Sequence, residues 1–359
     1  MTVPTRMRAV VTTGHGGLDM LDYRDDVPVP VPAAGEVLIK VGACSINNTD
    51  INTRTGWYAS AVRGGTEVDA VLAEAAPWDR TTLAFPRIQG ADIAGSIVAV
   101  GGGVLASRVG ERVLVDPWIV DPADIFKNPL YVGSERDGGY AEYVAVPSTN
   151  AHRVSARLSD VEWATFPCAY STAENMLHRA GLMPGETLVI TGASGGVGTG
   201  LIQIGAARGA RVVAVTSAGK IDQARALGAS IALPRDDAAL AESIKAAAGP
   251  VDVWADVVGG AGFPALFDTL RPGARYVTSG AIAGPIIEVD LRTLYLRDIT
   301  MYGATMQAPE VFPTLLKRIE QGAIKPIVAK TYPLSRAREA QADFGAKAHV
   351  GKIVLVPGQ

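Results

Sequence analysis

Leu188-Val-Ile-Thr-Gly-Ala-Ser-Gly-Gly-Val-Gly198 is the stretch on which the reading of this chain turns. Its short apolar opening predicts a buried strand, its glycines a tight turn, and the residues beyond it a helix through Arg208. A helix that starts this way offers free N–H groups and the positive end of its dipole to an anion. Backbone without Cβ atoms can approach that anion closely. Gly192, Ala193, Ser194, Gly195, Gly196, Val197 and Gly198 therefore predict a cradle for the pyrophosphate of a dinucleotide.

Working outward, Val212–Val215 reads as a second strand, Lys220–Leu227 as a helix, and Val251–Val258 and Arg275–Ser279 as further strands. Strands alternating with helices at this spacing predict an α/β domain on a doubly wound parallel sheet. The end of the second strand selects the dinucleotide. A site for NAD places a carboxylate there, to accept from the adenosine ribose. Val215-Thr-Ser-Ala-Gly-Lys220 has none. Ser217 and Lys220 can instead hold a 2′-phosphate, so the expected cofactor is NADP.

The first third of the chain is different. Arg8–Thr12, Gly35–Ala43, Ile93–Val100, Arg112–Val115 and Gly138–Val146 are short apolar or alternating runs divided by turns, as in an antiparallel β-barrel. Past Tyr302 the chain reads as helices Pro309–Gln321 and Ser335–Ala346 and a strand, Lys352–Val356, able to return to the first domain. Tyr58–Arg87 is long for a loop, and reads either as surface decoration or as a lid over a binding site.

Composition narrows the class. The 359 residues are 48 % hydrophobic and 19 % charged, which suits a globular chain with ample core. Two cysteines are too few for a disulfide framework or a four-cysteine zinc knot. The net charge of −3, with no basic stripe, argues against nucleic acid or an anionic membrane as partner. Without a long apolar run or a signal-like start, the expectation is a soluble, cytoplasmic protein acting on a small molecule.

In sequence order, these motifs resemble the medium-chain dehydrogenase/reductase superfamily, and within it the zinc-independent quinone oxidoreductases of the zeta-crystallin type. The resemblance runs over nearly the whole chain. Its marks are Gly35-Glu-Val-Leu-Ile-Lys-Val41, the active-site segment Cys44-Ser-Ile-Asn-Asn-Thr-Asp50, the turn Gly90-Ala-Asp-Ile-Ala-Gly95, the cofactor motif Gly192–Gly198 and the ending Gly351-Lys-Ile-Val-Leu355. It implies a GroES-like β-barrel domain, 1–157 with 303–359, interrupted by a Rossmann domain, 158–302. The nicotinamide would lie in the cleft between them. It also implies a homodimer paired at the edge of the Rossmann sheet, near Pro285–Leu291.

The resemblance carries roles residue by residue. Asn47, Asp50 and Tyr58 match positions near nicotinamide and substrate: Asn47 as a hydrogen-bond donor, Tyr58 as a donor to the substrate oxygen, and Asp50 as the group that orders the loop. Asn52 departs from a tyrosine usual in the quinone oxidoreductases. By their place in the chain, Thr172 reads either as a contact on the pyrophosphate side or as a helix cap, and Arg235 either as a contact to the adenosine phosphate or as a solvated side chain. Val258, Gly280, Ala281 and Ile282 lie at strand ends on the nicotinamide side. The zinc enzymes of the superfamily need a cysteine, a histidine and a second cysteine. Here Asn47 and Ala91, followed by Asp92, stand at the first two places, and only Cys168 is ligand-like. No metal is expected. The reading is an NADPH-dependent reductase of quinones or α,β-unsaturated carbonyls. The alternatives are an alcohol dehydrogenase with an unconventional metal site or a non-catalytic NADPH-binding protein.

Overall fold

A computed structural model describes residues 3–66, 84–155 and 157–358. Its centre is a six-stranded parallel sheet in the order Ile231–Pro234, Arg211–Thr216, Thr187–Thr191, Val251–Asp256, Leu270–Thr278, Thr300–Gly303. All five residues of Thr187–Thr191 are buried, as a central strand covered on both faces requires. The winding reverses between Thr187–Thr191 and Val251–Asp256. That reversal opens a crevice at the carboxyl ends of the strands, the place where such sheets bind ligands. The two outermost strands were not foreseen. Each is only four residues long, and Pro234 or Thr300 and Gly303 hide its apolar pattern.

The second unit is an antiparallel-rich barrel. Its larger sheet runs Ala151–Arg153, Arg112–Val115, Asp92–Val100, Glu36–Ser45, Lys352–Val356, Val328–Pro333, with Tyr143–Pro147 also paired to Glu36–Ser45. The last strand does return to the first domain: Val354 pairs with Ser45 and Leu355 with Cys44. A smaller sheet joins Leu21–Pro28, Arg6–Thr12 and Arg87–Ile88. Leu21–Pro28 was not read as a strand because six of its eight residues are solvent-exposed, so no alternation marks it.

Two helices, Asp160–Trp163 and Pro167–Arg179, link the barrel to the parallel sheet. Ser159 caps the first turn in a capping box with Glu162, and the helix stops at Trp163. Pro167 then opens the second helix, Pro167–Arg179, from its first turn, where a missing N–H costs nothing. That restart leaves the Cys168 N–H without an intrahelical partner and aims it at the barrel. Helix Val311–Glu320 lies in the stretch assigned from sequence to the barrel domain. Its Phe312, Leu315 and Ile319 nonetheless share one core with Leu188, Ile190 and Leu201 of the Rossmann unit. Among the described residues no helix is long and apolar enough to cross a membrane.

Candidate active site

The dinucleotide cradle has the geometry its glycines imply. Gly192 adopts φ +69°, and helix Gly196–Ala207 begins directly after Gly195. A Cβ on Gly198 would fall 2.3 Å from the Gly192 carbonyl oxygen and 2.6 Å from Ala193, so this glycine lets the helix seat on the turn. A Cβ on Gly195 would meet nothing nearer than 3.6 Å. The space above that residue is open, and the first-turn N–H groups of the helix have no intrahelical acceptors. These residues fit a dinucleotide pyrophosphate.

The turns expected on the nicotinamide side are held by an aspartate, Asp256, whose role has no signal in the sequence. Asp256 is fully buried and accepts from the backbone N–H of Val258 (2.8 Å) and Gly259 (3.1 Å) and from the Tyr276 hydroxyl (2.9 Å). The Ile282 and Ala283 N–H groups then bond to the Val257 and Val258 carbonyls, which docks the Gly280–Ala281–Ile282 loop on that turn. The Thr66 N–H reaches across from the first domain to the Ile282 carbonyl at 3.0 Å. Residues 67–83, most of the segment read as decoration or lid, lie outside the described residues.

On the opposite wall, Asn47 lies two residues past strand Glu36–Ser45, at the N-cap position of helix Asn48–Thr55. The Asp50 carboxylate accepts from the Asn47 N–H (2.8 Å), the Tyr140 hydroxyl (2.8 Å) and the Gly90 N–H (3.2 Å). With its oxygens so engaged, Asp50 orders the loop. Burial pushes its carboxyl up to about 6. The Asn47 side chain faces a buried ion pair. Its Nδ2 donates to Asp92 at 2.9 Å and its Oδ1 accepts from the Lys352 ammonium. Lys352 and Asp92 are 2.9 Å apart and at most 2 % exposed. Asp92 also accepts from the Ser45 hydroxyl and the Cys168 N–H, and Lys352 donates to the Ile46 carbonyl at 2.8 Å. Lys352 comes from the final strand, and a Cβ on Gly196 of the cradle would sit 3.1 Å from its Cδ. The network thus abuts the cofactor motif.

Cys168 closes this wall. Burial pushes its thiol up to about 12, so it keeps its proton at neutral pH. Its sulfur meets the hydroxyl of Tyr131, a residue with no sequence signal, held in a short hairpin by an edge-on contact with Trp118 at 4.7 Å. Tyr58 is 47 % exposed, but its hydroxyl turns toward Thr49 and Asn52. Burial of the hydroxyls raises both tyrosines above the usual phenol range. Both therefore keep their protons at neutral pH. Cys44, by contrast, is wholly buried in the barrel core. Among the described residues no three His, Cys, Asp or Glu side chains are grouped to hold a metal ion.

The remaining predicted contacts lie as follows. Ser217 precedes a 3-10 turn at the end of strand Arg211–Thr216. Lys220 donates to the Lys347 and His349 carbonyls at 2.7 and 2.8 Å, so two of its three N–H bonds tie the Rossmann unit to the C-terminal segment. Partial burial and the nearby Arg235 charge lower its pKa. Arg235 is exposed. The Thr172 hydroxyl donates to the Cys168 carbonyl one helical turn back, at 2.7 Å.

Comparison with known proteins agrees with this geometry. Residues 33–156 match the family model for the alcohol dehydrogenase GroES-like domain, and residues 196–321 that for zinc-binding dehydrogenases. A solved structure from Sinorhizobium meliloti 1021, provisionally named an alcohol dehydrogenase, is 50 % identical with a TM-score of 0.91, over 99 % of this chain and 97 % of that one. The quinone oxidoreductase of Rattus norvegicus is 28 % identical over 98 % of each chain. The 2-octenoyl-CoA carboxylase reductase CinF, solved with NADP and 2-octenoyl-CoA, is 25 % identical with a TM-score of 0.84, over 99 % of this chain and 88 % of that one. The chain belongs to the medium-chain dehydrogenase/reductase superfamily. It is an NAD(P)-dependent oxidoreductase with a small-molecule substrate.

Proposed function

We propose that this protein is an NADPH-dependent, zinc-independent reductase that transfers hydride to a quinone or an α,β-unsaturated carbonyl compound. The observation that carries this reading is the Lys352–Asp92 ion pair. On the wall where the superfamily's zinc enzymes place ligands, this chain has an amide, an alanine and an ammonium with its own carboxylate partner. A cation is already built in there, and its charge is balanced. The site therefore offers hydrogen bonds, not a Lewis acid. Quinones and enones are electrophilic enough to need no more.

When bound, the dinucleotide supplies the hydride. The glycine cradle and the Asp256-held turns orient it. Asn47 and Tyr58 donate to the acceptor oxygen as charge develops there, the kind of preorganised stabilisation that hydrogen-bond donors provide. Tyr58, and Tyr131 beside Cys168, hold protons within that wall. Purified protein should oxidise NADPH with quinone or enone acceptors, with no stoichiometric zinc and no loss of rate on chelation. Zinc at one per chain that is required for turnover would favour the alcohol dehydrogenase reading. Tight NADPH binding with no acceptor reduced would favour a binding protein.

NADPH preference is supported by the missing carboxylate after strand Arg211–Thr216, and by Lys220, which has one N–H left, beside Arg235. A charge-assisted bond to phosphate is worth about 1.5–3 kcal/mol. Lys220→Ala should raise the KM for NADPH by at least about tenfold and leave that for NADH within about twofold. An equal effect on both cofactors would assign Lys220 to the interdomain tether alone. A homodimer is supported by Ile286, Leu291, Tyr295 and Leu296, all more than half exposed next to the edge strand Thr300–Gly303. Sedimentation should give twice the chain mass for the wild type and a monomer for Tyr295→Glu/Leu296→Glu. A wild-type monomer would refute the pairing.

A further inference from the structure

We propose that Lys352 and Asp92 form a positioning pair that locks the Asn47 amide in one orientation, with its spare N–H presented to the substrate. The inference rests on the functional reading above and goes beyond it in naming how a donor is aimed. An asparagine amide can turn end over end, exchanging a donor for an acceptor. Here the two ends are not equivalent. Oδ1 faces the Lys352 ammonium and Nδ2 faces the Asp92 carboxylate. Turned over, the amide would set N–H against ammonium and oxygen against carboxylate. Two charge-assisted attractions would become two repulsions inside a buried site, where such interactions are strongest.

The rest of the network leaves no slack. The three protons of Lys352 go to the Ile46 carbonyl, Asn47 Oδ1 and Asp92. Asp92 accepts from Ser45, Asn47, Lys352 and the Cys168 N–H. Oδ1 of Asn47 and one of its two N–H bonds are thereby engaged. The second N–H is the donor the network does not use. Asn47 thus acts as a donor toward bound molecules, as reduction of a carbonyl or quinone oxygen requires. The network draws on two barrel strands, the helix after Phe166 and the last strand, so the donor's direction is set by four separate elements.

The test is a double-mutant cycle between Asn47→Ala and Lys352→Met, with Lys352→Arg as the conservative variant. If Lys352 acts through Asn47, Lys352→Met lowers kcat for an enone at least tenfold and Lys352→Arg restores most of it. In the Asn47→Ala background Lys352→Met then costs no more than a further twofold. Multiplying losses, or an unchanged kcat in Lys352→Met, would overturn the proposal. Should Lys352→Met fail to fold, the neutralised pair Asp92→Asn/Lys352→Met takes its place in the cycle. A second readout needs no turnover. In ¹⁵N-labelled protein without cofactor, the Asn47 side-chain NH₂ signals, identified by their loss in Asn47→Ala, should be two well-separated lines. In the Lys352→Met or neutralised-pair protein both lines should shift toward the positions of an ordinary exposed asparagine amide. Unchanged signals would overturn the lock. If the wild type reduced no quinone or enone while these signals behaved as described, the functional reading would fall and the lock would stand.

Discussion

Gly198→Ala should abolish useful dinucleotide binding, with NADPH affinity falling about a hundredfold, or roughly 2.7 kcal/mol. The added Cβ would lie 2.3 Å from the Gly192 carbonyl oxygen and 2.6 Å from Ala193, all backbone atoms with no side chain to swing aside. Helix Gly196–Ala207 must therefore lift off the turn, and the N–H groups that converge on the pyrophosphate diverge. Gly195→Ala provides the control. Its Cβ comes no nearer than 3.6 Å to any residue beyond its chain neighbours, and its φ of −75° suits any residue. Melting temperature should hold in Gly195→Ala and fall in Gly198→Ala, while NADPH binding by fluorescence titration falls in both. If Gly195→Ala bound NADPH as the wild type does, the pyrophosphate would not lie over that residue.

This contrast shows what a glycine motif does and does not tell from sequence. The Rossmann unit was legible because its signals are local: apolar strand, glycine turn and helix follow one another within twenty residues. The barrel was legible where strands alternate, as in Glu36–Ser45, and not where a strand faces water, as in Leu21–Pro28 or Val328–Pro333. The site was legible as a place, because Asn47 and Asp50 share one short segment. Its electrostatics were not. Lys352 lies 305 residues from Asn47, in a strand whose ending reads only as a family mark, and nothing in Gly351-Lys-Ile-Val-Leu355 says that its ammonium turns inward. Asp92 was noted for what it replaced and not for the four donors it gathers. Tyr131 reaches Cys168 only because an irregular hairpin folds over it. Such partners come from different sheets, and only tertiary packing brings them together.

Asp92→Ala should be the most destabilising single change in the site. It removes the acceptor for Ser45, Asn47 and the Cys168 N–H, and leaves the Lys352 ammonium buried without a counter-charge. Breaking a buried pair on one side costs about 3–5 kcal/mol, because the surviving charge cannot reach water. For units of this size that lowers Tm by about 10 °C. The cost belongs to the orphaned charge more than to the bond, so removing both charges should recover much of it. Asp92→Leu/Lys352→Met should melt well above Asp92→Ala, and within a few degrees of the wild type if the two apolar side chains pack. Activity should not follow stability: in the repacked protein nothing opposes rotation of the Asn47 amide, so enone reduction stays low although the fold is restored. The pair would then contribute direction where a metal in related enzymes contributes charge. Equal melting of Asp92→Ala and wild type by calorimetry would show that Lys352 finds water or another acceptor, and that the ion pair does not govern this wall.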